Sequence, residues 1–355
     1  MPNDENTVKG RGSQINLANP YLKETFGQFE ADAIDDWQEG KVRTKYIEEN
    51  PQKIINKVYS PDLGFNYSMN PYQGCEHGCV YCYARNTHHY WGYSAGLDFE
   101  RIIIVKKNAP VLLEKELQHP KWKVSPIMFS GNTDCYQPAE RTYGITRSML
   151  KVLLQYRHPV GLITKNDLIL RDLDLIKELS SMNLVHVAVS INSLDEKLRL
   201  ALEPRTASYQ KRLKVIEKLS ENGIRVNMLI APLIPGLNSD EIPRVMKAGA
   251  EAGASSAAII LARLNGAVGP IFEHWVRKKF PYRADKVMNQ IAQVHGGKVN
   301  DSRFGKRMRG EGNVALSIHQ LFKAANKKYF KERPIVKLDS SIFIRNQKGQ
   351  LNLFE

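Results

Sequence analysis

Short apolar runs spaced by helical stretches set the rhythm of this 355-residue chain from about Asn66 onward. The runs Ile127–Phe129, Val160–Ile163, Val185–Ile191, Val226–Ile230 and Ala257–Leu261 read as strands bounded by polar or glycine-containing segments. In the third, Val185, Val187, Val189 and Ile191 alternate with His186, Ala188 and Ser190, the period of two expected of a strand. Between the runs the period changes. Ile242, Val245, Met246, Gly249 and Ala250 fall on one face of a helix. Leu213, Ile216 and Leu219 do the same upstream, with Gly223 placed to end that helix in a left-handed cap. Counting Asn66–Asn70 as a first strand, roughly six strand–helix units follow, short of the eight in a complete TIM barrel. The pattern predicts an α/β fold, a partial (β/α)6 TIM-like barrel with function at the carboxyl ends of its strands. Past Pro270 the pattern turns mainly helical, with Val287, Ile291 and Val294 in one stripe that Gly296 and Gly297 end. Four segments result: a flexible polar tail (1–20), an N-terminal segment without clear assignment (21–65), the barrel core (66–270) and a basic helical C-terminal region (271–355).

Composition adds constraints. Hydrophobic residues make up 42% and charged residues 25%, as in ordinary globular proteins. No apolar run approaches the roughly 18 residues of a membrane span, and the first twenty residues lack the apolar centre of a secretion signal. A cytoplasmic location is therefore expected. Four cysteines are too few for a disulfide framework, and three of them crowd into eight positions, which points to metal ligation in a reducing compartment. Net charge is +14 and uneven: residues 271–335 hold fifteen Lys/Arg against five Asp/Glu, a surplus of ten. Such a surplus attracts a polyanion such as nucleic acid, though a generic solvated basic face has the same composition.

The three cysteines lie in Asn70-Pro71-Tyr72-Gln73-Gly74-Cys75-Glu76-His77-Gly78-Cys79-Val80-Tyr81-Cys82-Tyr83, a C-x3-C-x2-C spacing just after the first strand. Cys75, Cys79 and Cys82 can hold three corners of a cubane iron–sulfur cluster, with Gly74 and Gly78 letting the backbone wrap around it. With no fourth cysteine nearby, one iron would be left open to a substrate, the mark of a catalytic metal site. The competing reading is a structural zinc site completed by His77, His88 or His89.

This loop resembles the cluster-binding signature of the radical S-adenosylmethionine (SAM) superfamily, including the aromatic Tyr81 before the last cysteine. The resemblance spans about residues 66–262. Within that superfamily the chain is similar to the spore-photoproduct-lyase-like group of DNA-repair radical enzymes. The phrases that carry it are Ser130-Gly131-Asn132-Thr133-Asp134-Cys135-Tyr136-Gln137-Pro138, Ile163-Thr164-Lys165, Ser190-Ile191-Asn192 and Glu203-Pro204-Arg205-Thr206. The resemblance implies a barrel of the radical SAM type, a [4Fe–4S] cluster and SAM as cofactors, and a flavodoxin- or ferredoxin-like electron donor. It also implies the chemistry: SAM chelates the open iron, one electron cleaves it, and a 5′-deoxyadenosyl radical abstracts hydrogen from a substrate.

Site residues follow from the same resemblance. Tyr81 is expected near the adenine, and Thr133 or Asp134 at the SAM ammonium. Lys165, Arg205 and Ser190 are expected at the carboxylate or ribose. Ile234, in Pro232-Leu233-Ile234-Pro235-Gly236, matches an element that packs an apolar side chain on adenine. Cys135 has three readings: a hydrogen donor to the product radical, as a cysteine near this strand end is in spore photoproduct lyases, a lining of the substrate pocket, or an inert buried thiol. Three functions compete: a radical SAM enzyme acting on damaged or modified nucleic acid, one acting on a protein or metabolite, and a non-enzymatic nucleic-acid-binding protein stabilised by zinc or a cluster. The sequence does not set the oligomeric state.

Overall fold

Six strands of the barrel core lie side by side in sequence order and all run parallel. The computed structural model describes residues 8–22, 43–330 and 336–345. Its strands are β1 (Lys45–Glu49), β2 (Ile55–Lys57), β3 (Tyr67–Met69), β4 (Tyr72–Gln73), β5 (Ile102–Lys106), β6 (Ile127–Phe129), β7 (Val160–Thr164), β8 (Val185–Ser190), β9 (Val226–Leu233) and β10 (Ser256–Leu261). The larger sheet has the order β10-β9-β8-β7-β6-β3-β2, with only β2 antiparallel, at the edge beside β3. In register, Ile127, Val160 and Val185 sit level across β6, β7 and β8. β8 alternates as expected, with Val185, Val187 and Val189 buried and His186 exposed. The sheet is an open row of six parallel strands, so all their carboxyl ends point one way, where an open α/β sheet places its site.

The connecting helices bury apolar stripes against these strands. The helix Tyr209–Glu221 buries Val215, Ile216 and Leu219 and is followed by Gly223 at φ 74°, the left-handed position its sequence foretold. Ile242–Glu251 buries Ile242, Val245, Met246 and Gly249. The C-terminal helices Val268–Lys279, Ala284–Val294 and Gly312–Tyr329 follow, the last packing on Ile242–Glu251. Among the described residues no helix is long and apolar enough to cross a membrane.

The N-terminal stretch departs from expectation. Residues 1–7 lie outside the described residues, but 8–22 are laid down on the cysteine loop rather than forming a flexible tail. The reason is a buried ion pair. Arg85, on the 3-10 helix Tyr83–Trp91, meets Glu100 at 2.5 Å, with both side chains fully buried. Arg85 also donates to the carbonyls of Cys79 (2.9 Å), Gly78 (3.3 Å), Ala95 (3.1 Å) and Gly96 (2.9 Å). Glu100 in turn accepts the backbone N–H groups of Gly12 (2.9 Å) and Ser13 (2.7 Å), while Arg11 donates to the Glu100 carbonyl at 2.5 Å. A Cβ on Gly12 would collide with the Gly78 carbonyl, so only glycine allows this approach. The segment 21–65 supplies β1 and β2, with 23–42 outside the described residues. β1 joins β5 and β4 in a second, three-stranded sheet that leads into the cysteine loop.

Glu100→Ala would leave Arg85 charged and unpaired in the interior, and should cost about 3–5 kcal/mol in a denaturant titration. Gly12→Ala should spare the barrel and expose residues 8–22 to limited proteolysis; unchanged cleavage would mean that the segment is held by something other than the Gly78 approach.

Candidate functional site

At the carboxyl ends of the strands lies a cavity of about 510 Å³. The cysteine loop forms one wall. All of Cys75, Cys79 and Cys82 reach the cavity, and all four cysteines of the chain are free thiols. Gly74 and Gly78 hold left-handed φ values of 78° and 68°, and a Cβ on Gly78 would stand 2.7 Å from Glu100. Burial raises all three thiol pKa values, Cys75 most severely, with the nearby Asp134, Cys79 and Cys82 adding repulsion. Three thiolates here would call for a strong local positive charge, which the irons of a cluster would supply. A single zinc ion would need its donors gathered at about 2.0–2.3 Å around one point. Among the described residues no three His, Cys, Asp or Glu are gathered so tightly around one point, the three loop cysteines included. Of the histidines named for zinc, His77 lines the same cavity as the cysteines and the other two pack against aromatic rings. His88 packs between Tyr93 and Phe99. His89 is edge-on to Tyr21. His77 Nε2 lies 3.0 Å from the Asn166 amide and Nδ1 3.4 Å from Asp134. Burial holds the His77 pKa at about 4, against the pull of Asp134, so this last contact is between a neutral ring and a carboxylate.

Polar groups at successive strand ends complete the walls. Asp134, after β6, accepts from Thr164 Oγ1 (2.9 and 3.1 Å), the Lys165 N–H (2.8 Å) and the Tyr136 N–H (2.9 Å), which fixes its carboxylate at the cavity. Thr133 also lines it, but its hydroxyl is spent on the Tyr72 carbonyl at 2.6 Å. Lys165, at the end of β7, stands with its ammonium 6.0 Å from the centre of the Tyr81 ring. Burial pulls its pKa down, but Glu203 and Cys79 outweigh that and raise it, so it stays protonated. Ser190, at the end of β8, is buried, and among the described residues its hydroxyl has no hydrogen bond. A buried hydroxyl at a cavity wall without a partner is a strong sign of a ligand contact.

Behind this wall sits Glu203, fully buried, accepting from the Tyr81 hydroxyl and from Arg212 at 2.5 Å. Arg212 also donates to the Ser190 carbonyl at 2.9 Å. Burial favours the neutral carboxyl of Glu203, but Arg212 and Lys165 outweigh it and lower the pKa. One carboxylate thereby positions Tyr81, Lys165 and the Ser190 strand end together.

Three expected residues do not reach the cavity. Arg205 turns to Glu76, 3.3 Å away, because the preceding Glu203 is held in the interior and the Arg205 N–H bonds the His77 carbonyl. Ile234 is fully buried among Val80, Leu202, Leu237 and Val268, and it is Ala231 and Pro232 at the end of β9 that line the space instead. Cys135 is buried in the main core with its N–H on Ser130 Oγ (2.8 Å), burial pushes its thiol pKa far up, and it is Ser130 and Gly131 that line the cavity there. Conversely, Arg263 after β10 and Arg307 in the loop before the last helix line the cavity without having stood out in the sequence. Arg263 is the first charged residue after the last apolar run, the only hint available there.

Comparison with known proteins agrees with this arrangement. The family model described as "Radical SAM superfamily" matches residues 69–248, from the end of β3 to the helix after β9. An uncharacterized protein of Mycobacterium tuberculosis is 33% identical over 233 residues, covering 65% of this chain and 68% of the relative. One of Methanocaldococcus jannaschii is 35% identical over 195 residues, covering 55% and 70%. Among solved structures, spore photoproduct lyase complexed with dinucleoside spore photoproduct has a similar fold, with TM-score 0.59 at 15% identity over 82% of this chain and 81% of the other. A mutant of it with bound AdoMet and dinucleoside spore photoproduct gives 0.56 at 16%, with the same coverage. The chain belongs to the radical SAM superfamily, enzymes that work with a [4Fe–4S] cluster and S-adenosylmethionine.

Proposed function

We propose that this enzyme holds its cluster on Cys75, Cys79 and Cys82, binds SAM beside it, and abstracts hydrogen from nucleic acid. The observation that carries the reading is one cavity lined by all three thiols together with Asp134, Lys165, Tyr81 and the unpartnered hydroxyl of Ser190. The cluster and SAM supply one-electron cleavage of a sulfonium bond and hence a 5′-deoxyadenosyl radical. The chain's residues do the positioning. Asp134 is an acceptor suited to the SAM ammonium, fixed by three donors, Thr164 Oγ1 and the Lys165 and Tyr136 N–H groups, so that it needs no reordering. The protonated Lys165 and the Ser190 hydroxyl suit the SAM carboxylate or ribose. Tyr81, tied by its hydroxyl to Glu203, offers a fixed ring edge for adenine. Apolar side chains such as Leu63, Phe65, Met128 and Met308 keep the rest of the cavity dry, which protects a radical from water and side reactions. An external electron donor is required, as for the family.

Nucleic acid as substrate is supported by the charge of the C-terminal region. Its acids are already engaged: Glu273 and Asp285 by Arg277, Asp301 by Arg303, and Glu311 by Arg303 and Lys306. Lys323, Lys327 and Lys328 remain exposed on the helix Gly312–Tyr329, and Arg309 beside the cavity-lining Met308 is also exposed. Lys331, Glu332 and Arg333 lie outside the described residues.

After anaerobic reconstitution with iron and sulfide and reduction in the presence of SAM, the protein should be brown and form 5′-deoxyadenosine. Cys79→Ala should lose both colour and product, whereas Cys135→Ala should keep both, because its thiol is walled off in the core. Ser190→Ala should weaken SAM binding by about 3- to 10-fold in equilibrium dialysis, the worth of one hydrogen bond. Affinity for single- or double-stranded nucleic acid should fall steeply as salt rises. Binding that ignores salt would remove the nucleic-acid substrate and leave the SAM chemistry intact.

A further inference from the structure

The cavity holds more cations than the SAM reading uses. Besides Lys165, its lining includes Arg263 and Arg307, on the loops after β10 and before the last helix. Arg307 is a fixed cation: its Nε bonds Asp62 at 2.5 Å, a second nitrogen bonds Ser60 Oγ, and its guanidinium lies 4.6 Å from the centre of the Phe304 ring. Asp62 is fully used, since its other oxygen accepts the Gly305 N–H at 2.6 Å. Arg263 is different. It is half-buried, stacked over the Tyr83 ring at 5.9 Å, and among the described residues its guanidinium has neither a hydrogen bond nor an ion pair. Burial lowers its pKa and repulsion from Arg307 lowers it further, with Asp62 too weak an offset. Two guanidinium groups line the same cavity, and only Arg307 has a carboxylate partner, so Arg263 favours an anion brought by a ligand.

We propose that Arg263 and Arg307 form a phosphate-binding subsite that holds the substrate by an oxyanion while its base enters the apolar part of the cavity. The inference rests on the proposed radical SAM reading of the same cavity and names what these two arginines recognise. A planar guanidinium fork matches phosphate bidentately. The neighbouring Phe65, Leu63 and Met308 accept a flat, weakly polar body. Tyr83 sets the Arg263 fork, because its hydroxyl donates to the Gly131 carbonyl and so fixes the ring on which the guanidinium lies.

The test uses the reconstituted, SAM-loaded holoenzyme and three sets of probes: deoxydinucleoside monophosphates, the same compounds with a neutral methylphosphonate linkage, and nucleoside 5′-monophosphates. Equilibrium dialysis should show the charged dinucleotides binding about tenfold or more tightly than the neutral ones. Arg263→Gln should erase that preference while leaving SAM affinity within about twofold, and Arg263→Lys should restore part of it. The wild-type comparison of charged and neutral probes needs no variant, so it decides the matter even if Arg263→Gln does not fold. The 5′-monophosphates tell the source of the oxyanion: binding as tight as the dinucleotides assigns the subsite to a terminal phosphate, weaker binding to a bridging phosphodiester, and either supports a phosphate site. Equal affinity for charged and neutral linkages, no binding of any phosphate probe, or a loss of SAM affinity in Arg263→Gln would each overturn the proposal. Absence of 5′-deoxyadenosine from the wild-type protein would instead overturn the reading beneath it.

Discussion

The buried pair of Arg85 and Glu100 is the constraint on which the cysteine loop depends. An isolated arginine in the interior is costly, and so is an isolated carboxylate. Here each satisfies the other and also takes up backbone groups that the tight loop leaves without partners. Arg85 gathers carbonyls from both sides of the chain, including those of Gly78 and Cys79, and Glu100 gathers the N–H groups of Gly12 and Ser13. These bonds fix the shape of the loop. Three thiols that would repel one another as thiolates are held at set positions, the arrangement the proposed cluster would need.

A second buried carboxylate plays the matching part on the SAM side. Glu203 sits within reach of Tyr81, Arg212 and Lys165. It keeps Lys165 charged in a setting where burial alone would favour the neutral amine, and it immobilises Tyr81. Charge is thus balanced in layers, with one carboxylate under the loop and one under the strand ends, and the cavity between them keeps few unpaired groups. Those few are informative. Among the described residues, the buried Ser190 hydroxyl and the Arg263 guanidinium, both on cavity-lining residues, have no hydrogen-bond partner, and the proposed ligand contacts fall on these two.

The comparisons fix the superfamily and the fold, and the substrate proposal rests on the chain itself. Similarity to spore photoproduct lyase at 15% identity speaks to the arrangement of strands and helices. The case for nucleic acid comes from exposed lysines on Gly312–Tyr329 and from Arg307, which reaches the cavity from the same C-terminal region and lines it together with Arg263.

Much of the architecture was legible in the sequence, because strand and helix periodicity are local properties. The apolar run Ile127–Phe129 is β6 to the residue, and Val185–Ile191 differs from β8 only at its end. The cysteine spacing is local as well, and it marked the loop that lines the cavity. What the sequence left open depends on partners far apart in the chain. Arg85 and Glu100 are fifteen positions apart, and the glycine that seats the N-terminal segment lies far from the carbonyl it approaches. Arg205 and Ile234 stand in recognisable phrases, yet the side chains that face the cavity there are others, because the turns after β8 and β9 are set by packing and buried hydrogen bonds. Cys135 shows the same limit: its place after β6 suggested chemistry, and the direction of one turn put its thiol in the core. Sequence alone determined the six-strand rhythm and the three-thiol loop. Which charged side chains are buried, which are paired and which are left facing the cavity was decided only when the chain closed on itself, since burial and pairing are properties of distance in space and not along the chain.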